Sequence, residues 1–194
     1  MRRLIYSLSV SLDGFMESPS RGLDWAIIDD ELHRYFNDEA REQSAFLYGR
    51  RMYELMAGYW PTADQDTSIP AYMAEWAEIW REKPKVVFSR TLGAVEWNSR
   101  LVRGDVGEEI TRLKAEPGGD LSIGGASLAT EAIRRGLVDD YRLLVHPVIL
   151  GSGTRFFPSL EERIELRLAS TRTFSSGVVL LHYQASYPDL ALGG

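Results

Sequence analysis

The chain has 194 residues, 44% hydrophobic and 26% charged, which is typical of one ordinary domain with a substantial core. It has no cysteine and only three histidines without ligand spacing, which excludes disulfides, thiolate chemistry and zinc–sulfur sites and leaves no expected metal site. A formal charge of −6, with no long apolar run and no signal peptide, argues against nucleic acid and membranes as partners, so we expect a cytoplasmic protein.

The first two thirds of the chain alternates short strands with helices. Hydrophobic periodicity and capping residues predict, in chain order, a strand at 3–12, a helix at 30–42, a strand at 44–48, a helix from 53, a helix at 73–80, strands at 85–90 and 101–102, a helix at 107–114, a strand at 121–123 and a helix ending at Gly136. The polar, proline-bounded segment 61–70 is typical of a surface loop.

The last third of the chain is rich in β-forming residues. Segments 141–150, 165–173 and 178–186 are separated by glycine or serine turns, a pattern that predicts an antiparallel meander. We therefore predict a single α/β domain over residues 1–187 with an antiparallel C-terminal end. A flexible tail is expected at residues 188–194.

Gly124 and Gly125 connect a buried strand directly to a helix. Without a Cβ, these residues let a ligand approach the backbone, and the free N–H groups that open the helix favour negative charge. The pattern indicates a phosphate site that continues into Ala126 and Ser127. Tight packing of the turn is an equally valid reason for two glycines, and the motif is not the G-x-G-x-x-G fingerprint.

Three arginines follow the predicted strands closely: Arg50, Arg51 and Arg90. Open α/β sheets bind ligands beyond the carboxyl ends of their strands, and the planar guanidinium group pairs with two phosphate oxygens at once. These side chains therefore indicate a local basic patch for an anionic ligand. The alternative is that they form surface ion pairs with Asp or Glu.

Four blocks, in order along the chain, carry a resemblance to a known superfamily. They are Ser9–Gly14, Tyr48–Glu54, Val86–Thr91, and Ile123–Ala129 with the following segments Gly136–Leu143 and Pro147–Gly151. The chain resembles the dihydrofolate reductase-like superfamily, and most closely the RibD C-terminal reductase domain of bacterial riboflavin biosynthesis. Unlike the bifunctional riboflavin enzyme, the chain is expected to have no deaminase domain. It has Gly49-Arg-Arg-Met where that family usually has a glycine–threonine turn.

The resemblance implies a three-layer α/β/α fold with a mixed, mainly parallel sheet. It also implies NADPH as cofactor, hydride transfer to a small heterocycle and a homodimer; the nearest named activity is reduction of 5-amino-6-(5-phosphoribosylamino)uracil. The pair Ser89 and Arg90 is expected to recognise the adenosine 2′-phosphate. The cofactor-binding residues implied are Gly49, Arg50, Arg51, Met52, Ser89, Arg90, Gly124, Gly125, Ala126 and Ser127.

For catalysis and substrate binding the sequence offers several candidates. Dihydrofolate reductases carry an acidic residue early in their first helix, so Asp30 is a candidate proton donor, although it also suits a helix cap. Asp13 is a catalytic and substrate-binding candidate, although Asp-Gly is an ordinary turn pair and the proton can also come from water. The substrate-binding candidates are Asp13, Gly14, Trp25, Trp60 and Arg155. We interpret all three histidines as structural.

Two other functions remain open from the sequence. One is a dihydrofolate or pterin reductase. The other is a noncatalytic protein that binds a nucleotide or a flat ligand without turning it over, because a fold does not determine a substrate.

Overall fold

A computed structural model describes residues 1–187 of the chain, so the predicted tail at 188–194 lies outside the described residues. The strands are β1 (Leu4–Ser11), β2 (Phe15–Glu17), β3 (Ala45–Gly49), β4 (Lys85–Phe88), β5 (Ser99–Val102), β6 (Leu121–Gly124), β7 (Asp140–His146), β8 (Thr154–Arg155), β9 (Glu165–Thr173) and β10 (Val179–Ser186). The helices are α1 (Asp30–Glu42), α2 (Arg50–Ala57), α3 (Ala71–Glu82), α4 (Val106–Ala115) and α5 (Ala126–Arg134).

Eight strands form one central sheet in the order β5-β4-β3-β6-β1-β7-β10-β9. In this spatial order, the first six strands, from β5 to β7, are each parallel to their neighbours. Strand β10 runs antiparallel to both β7 and β9. This confirms the mixed, mainly parallel sheet with an antiparallel end. The predicted meander is wrong in one respect, because β10 inserts between β7 and β9 instead of following β9 at the edge.

Helices cover both faces of the sheet. On one face, side chains of α4 and α5 pack with alternate residues of β1, such as Leu4 and Tyr6, in the largest apolar cluster. On the other face lie α1, α2 and α3, with Trp80 of α3 fully buried against β3 and β4. Helices on both faces of a mostly parallel sheet make the three layers expected from the sequence.

Local chemistry explains where α1 begins. The Asp29 carboxylate accepts a hydrogen bond from the Leu32 N–H at 2.8 Å, so Asp29 is the N-cap residue. Asp30 and Glu31 occupy the first turn, where negative charge interacts favourably with the helix dipole. The predicted and observed bounds of this helix agree.

Two strands are too short to be predicted from the sequence. Strands β2 and β8 pair antiparallel in a separate two-stranded sheet, and each is too short for alternation to be visible. In the predicted loop, Trp60–Gln65 forms a 3₁₀ helix.

Within residues 1–187, no helix combines the length and apolar character needed to cross a bilayer.

Candidate functional site

A cleft of about 1130 Å³ opens along the carboxyl ends of the parallel strands. Sheet residues such as Ser7 and Phe46 line it from below, and α1, α2 and α3 contribute the walls on that side of the sheet. The N-terminal ends of α2, α4 and α5 also reach the cleft. Carboxyl ends of strands and N-terminal ends of helices meet there, which is where open α/β sheets place ligands.

Two of these helix starts lack a side-chain cap. Helix α2 begins after Gly49 and α5 begins after Gly125, and neither N-cap residue makes a capping side-chain hydrogen bond. A Cβ on Gly125 would lie 3.6 Å from the Gly49 nitrogen, so the two helix starts adjoin. In contrast, Asp105 caps α4 with its own carboxylate. The first-turn N–H groups of α2 and α5 therefore offer one anion-binding region.

The glycine pair is also required by packing. A Cβ on Gly124 would lie 3.2 Å from the Tyr48 ring and 3.3 Å from Met52 Cγ. Gly125 has a φ of +100°, a conformation that L side chains rarely adopt. The packing interpretation of these glycines is therefore confirmed, and their close packing brings the starts of α2 and α5 side by side.

Arg50 and Arg51 lie at the start of α2 and line the cleft with half-exposed side chains. Arg50 is 3.6 Å from the Glu54 carboxylate, and Arg51 forms two hydrogen bonds, of 2.9 and 3.2 Å, with Glu17. Solvent-exposed ion pairs of this kind contribute only about 0–1 kcal/mol. The two guanidinium groups can therefore exchange these partners for a more highly charged anion.

The segment after β4 forms a small turn at the cleft. Ser89 Oγ accepts hydrogen bonds from the N–H groups of Thr91 (3.2 Å) and Leu92 (3.1 Å), and Arg90 is exposed. Arg103 donates to the carbonyl oxygens of Arg90 and Leu92, and it also lines the cleft. Sequence reasoning missed Arg103, although it directly follows the end of β5 just as Arg90 follows β4 closely.

Asp13 and Gly14 lie outside the cleft lining, in a turn that holds the loop after β7. The Asp13 carboxylate accepts hydrogen bonds from Ser11 Oγ (2.7 Å) and from the N–H groups of Leu150 (3.0 Å) and Gly151 (2.7 Å). These donors, with Ser11 the largest cause, lower the pKa of Asp13 to about 2. The Asp13 carboxylate therefore fixes the loop after β7 in place.

The remaining predicted catalytic and substrate-binding residues divide into two groups. Asp30 pairs with Arg34 at 2.6 Å on the exposed side of α1, Trp25 packs edge-on against His146 at 5.4 Å, and Arg155 lies 4.9 Å from the Phe15 ring. None of these three belongs to the cleft lining. Trp60 does line the cleft, as do all ten predicted cofactor-binding residues.

The inner wall of the cleft carries polar groups that sequence reasoning missed. Glu39 on α1 is buried, forms an ion pair with Arg142 and accepts a 3.2 Å hydrogen bond from Ser7 Oγ. His33, also on α1, lines the same cleft. The signal for this wall is the run of serines on one side of β1, since a sheet face packed by a helix is normally apolar.

The sequence-family model of the RibD C-terminal domain matches residues 2–180 of this chain. An uncharacterised Bacillus subtilis protein, YyaP, is 40% identical over 187 residues, which cover 94% of each chain.

Two solved structures resemble the fold of this chain. One is a diaminohydroxyphosphoribosylaminopyrimidine deaminase/5-amino-6-(5-phosphoribosylamino)uracil reductase of Thermotoga maritima (TM-score 0.66, 16% identity), matched over 95% of this chain and 57% of that one. The other is the Enterococcus faecalis dihydrofolate reductase in complex with NADP(H) and RAB-propyl (TM-score 0.63, 12% identity), matched over 95% and 97%. These likenesses establish a dihydrofolate reductase-like fold.

Proposed function

Because the chain belongs to the RibD C-terminal domain family, we propose that it is an NADPH-dependent reductase that transfers hydride to a small heterocyclic substrate. The observation that carries the proposal is the cleft itself. It runs from two adjoining uncapped helix starts, next to Arg50 and Arg51, to an aromatic wall that includes Trp60. A dinucleotide needs the first of these features, and a flat substrate needs the second.

The residues fit the phosphate groups of such a cofactor. The first-turn N–H groups of α2 and α5 would hold the pyrophosphate, with Arg50 and Arg51 turned from their exposed ion pairs. Ser89 and Arg90, on a turn tied to Arg103, would contact the 2′-phosphate that distinguishes NADPH from NADH. This arrangement supports NADPH as the preferred cofactor.

When bound, the cofactor supplies the hydride, and the chain supplies position and surroundings. The aromatic wall would hold a flat ring parallel to the nicotinamide and exclude water from the reacting atoms. Glu39 and Ser7 would orient that ring by hydrogen bonds at the inner end of the cleft. The nearest named activity, reduction of 5-amino-6-(5-phosphoribosylamino)uracil, is that of the Thermotoga maritima protein.

A turnover assay tests the proposal. NADPH consumption at 340 nm is followed with three acceptors: 5-amino-6-(5-phosphoribosylamino)uracil, 7,8-dihydrofolate and lumazine. We expect turnover with a heterocycle of this kind, loss of activity in the double variant Arg50→Ala/Arg51→Ala, and normal activity in Arg134→Ala, whose exposed side chain lies outside the cleft lining.

The same assay separates the alternatives. Turnover of dihydrofolate alone would identify a folate reductase. NADPH binding without turnover of any acceptor would contradict the enzyme and favour a noncatalytic nucleotide-binding protein. The positions of Asp13 and Asp30 outside the cleft lining leave the proton donor to another group or to water.

A further inference from the structure

The inner end of the cleft is closed by an aromatic cluster around His33. The imidazole ring centroid lies 4.8 Å from that of Tyr72, 6.0 Å from that of Trp60 and 6.2 Å from that of Trp76. His33 is only 7% exposed, and it belongs to the cleft lining. The imidazole is therefore a nearly enclosed polar group with three aromatic rings around it.

The neighbouring hydrogen bonds define which ring nitrogen carries the proton. Asn37 uses its amide Nδ2 to donate to the Tyr72 carbonyl oxygen (2.9 Å) and to Glu75 (2.6 Å). Its Oδ1 is left to accept from His33 Nδ1 at 3.2 Å, so the neutral ring is protonated at Nδ1. Within residues 1–187, Nε2 has no hydrogen-bond partner and is free to accept a proton or a hydrogen bond.

We propose that this end of the cleft is the subsite for the hydride-accepting ring, and that His33 Nε2 hydrogen-bonds to that ring and delivers its proton. The inference rests on the proposed function and names its substrate class: a flat nitrogen heterocycle with a conjugated C=N or C=O bond. His33 first takes up a proton from solvent on Nε2 and becomes the imidazolium. Hydride from NADPH then adds to the carbon of that bond, and the imidazolium transfers the Nε2 proton to the nitrogen or oxygen of the same bond. The products are NADP⁺, the reduced ring and a neutral His33.

The charged groups around His33 are consistent with this role. Burial lowers the pKa of His33, while Asn37, Asp30 on α1 and Glu75 on α3 act in the opposite direction. The imidazolium is then a stronger acid than an exposed histidine and can be reprotonated through the cleft. Asp13, by contrast, lies outside the cleft lining, and its carboxylate is engaged by Ser11 Oγ and by the N–H groups of Leu150 and Gly151.

Nitrogen NMR of the three histidine side chains tests this subsite on the wild-type protein. The probe is lumazine, a flat two-ring heterocycle, and its binding is followed in parallel by tryptophan fluorescence. We expect saturation with lumazine to shift the Nε2 resonance of His33 and to leave His182, on β10, unchanged. The variant His33→Gln assigns the resonance, and we expect it to bind lumazine about tenfold more weakly, as for one lost hydrogen bond, with its affinity for NADPH unchanged.

Two results would overturn the subsite. One is saturable lumazine binding that neither shifts the His33 resonance nor weakens in His33→Gln. The other is no lumazine binding to a wild-type protein that binds NADPH. Failure of the proposed function gives a different result. NADPH then does not bind or is not consumed, whether or not lumazine shifts the His33 resonance.

Discussion

At the scale of single residues, Arg90 gives the clearest test of cofactor choice. Its guanidinium group is exposed at the cleft on a turn that Arg103 ties down through the Arg90 carbonyl oxygen. Removing a charge-assisted hydrogen bond costs about 1.5–3 kcal/mol, so Arg90→Ala should reduce the preference for NADPH over NADH at least about tenfold. Equilibrium titration with both nucleotides measures this ratio.

The matched control for this variant is Arg134→Ala, which removes an exposed arginine from the last turn of α5. It should leave the ratio unchanged. An unchanged ratio in Arg90→Ala itself would remove Arg90 from the 2′-phosphate site.

Asp13 gives a residue-scale prediction about pH and stability. In the folded protein its pKa is about 2, below the value of about 3.9 in an unfolded chain. The carboxylate therefore stabilises the fold above about pH 4, and that contribution is lost as pH falls toward 2. Asp13→Asn should lower the Tm by a few degrees at pH 6, and the difference from wild type should narrow by pH 3. A difference independent of pH would contradict this account.

At the scale of elements, Lys85 at the start of β4 stabilises the end of α3. Its buried ammonium group donates to the carbonyl oxygens of Trp80 (2.5 Å) and Lys83 (2.7 Å), which are free at the helix C-terminus. Burial lowers the pKa of Lys85 to about 8. Since an unfolded lysine has a pKa of about 10.4, the unfolded chain binds more protons between these values, and stability rises with pH.

The variant Lys85→Met should lack this rise. Urea unfolding of both proteins should show the wild type gaining roughly 1–3 kcal/mol relative to Lys85→Met between pH 7.5 and 10. A constant difference across this range would mean that Lys85 titrates as an exposed lysine.

The elements also show what the sequence can predict. The bounds of helix α1 were predictable, because acidic residues suited to a helix cap stand at its start and its apolar residues repeat at helical spacing. Strands β2 and β8 were not, because each depends on the other for its backbone hydrogen bonds and neither is long enough to carry a pattern.

At the scale of the whole molecule, strand β9 forms one edge of the sheet and is exposed along its entire length. Leu166 and Leu168, two residues apart and hence on one face, are 37% and 51% exposed. An uncovered edge with apolar side chains invites pairing with a second chain, which supports the expected homodimer.

Sedimentation velocity tests the dimer. We expect the wild type to sediment as a dimer at micromolar concentration and Leu168→Glu to shift toward the monomer. Leu12→Glu, at another exposed leucine outside the sheet, is the control and should remain dimeric. A monomeric wild type would contradict the prediction.

The arrangement of the whole molecule also explains which features could not be predicted from the sequence. Strand types follow from local pattern, but the placement of β10 between β7 and β9 depends on contacts between distant segments. The same holds for His33, which becomes a cleft residue only when α1 packs beside Trp60 and Trp76. Residues after strand ends, such as Arg50 and Arg90, were predictable because the carboxyl ends of parallel strands share one edge.

The reductase requires, before anything else, that the cleft bind NADPH. Trp60 and Trp76 line the cleft, so titration with NADPH and NADH can be followed by tryptophan fluorescence and by energy transfer to the reduced nicotinamide. We expect saturable quenching with NADPH and binding of NADH at least about tenfold weaker, because NADH lacks the 2′-phosphate and its charge-assisted hydrogen bonds. No binding of either nucleotide would contradict the reductase and leave only the fold.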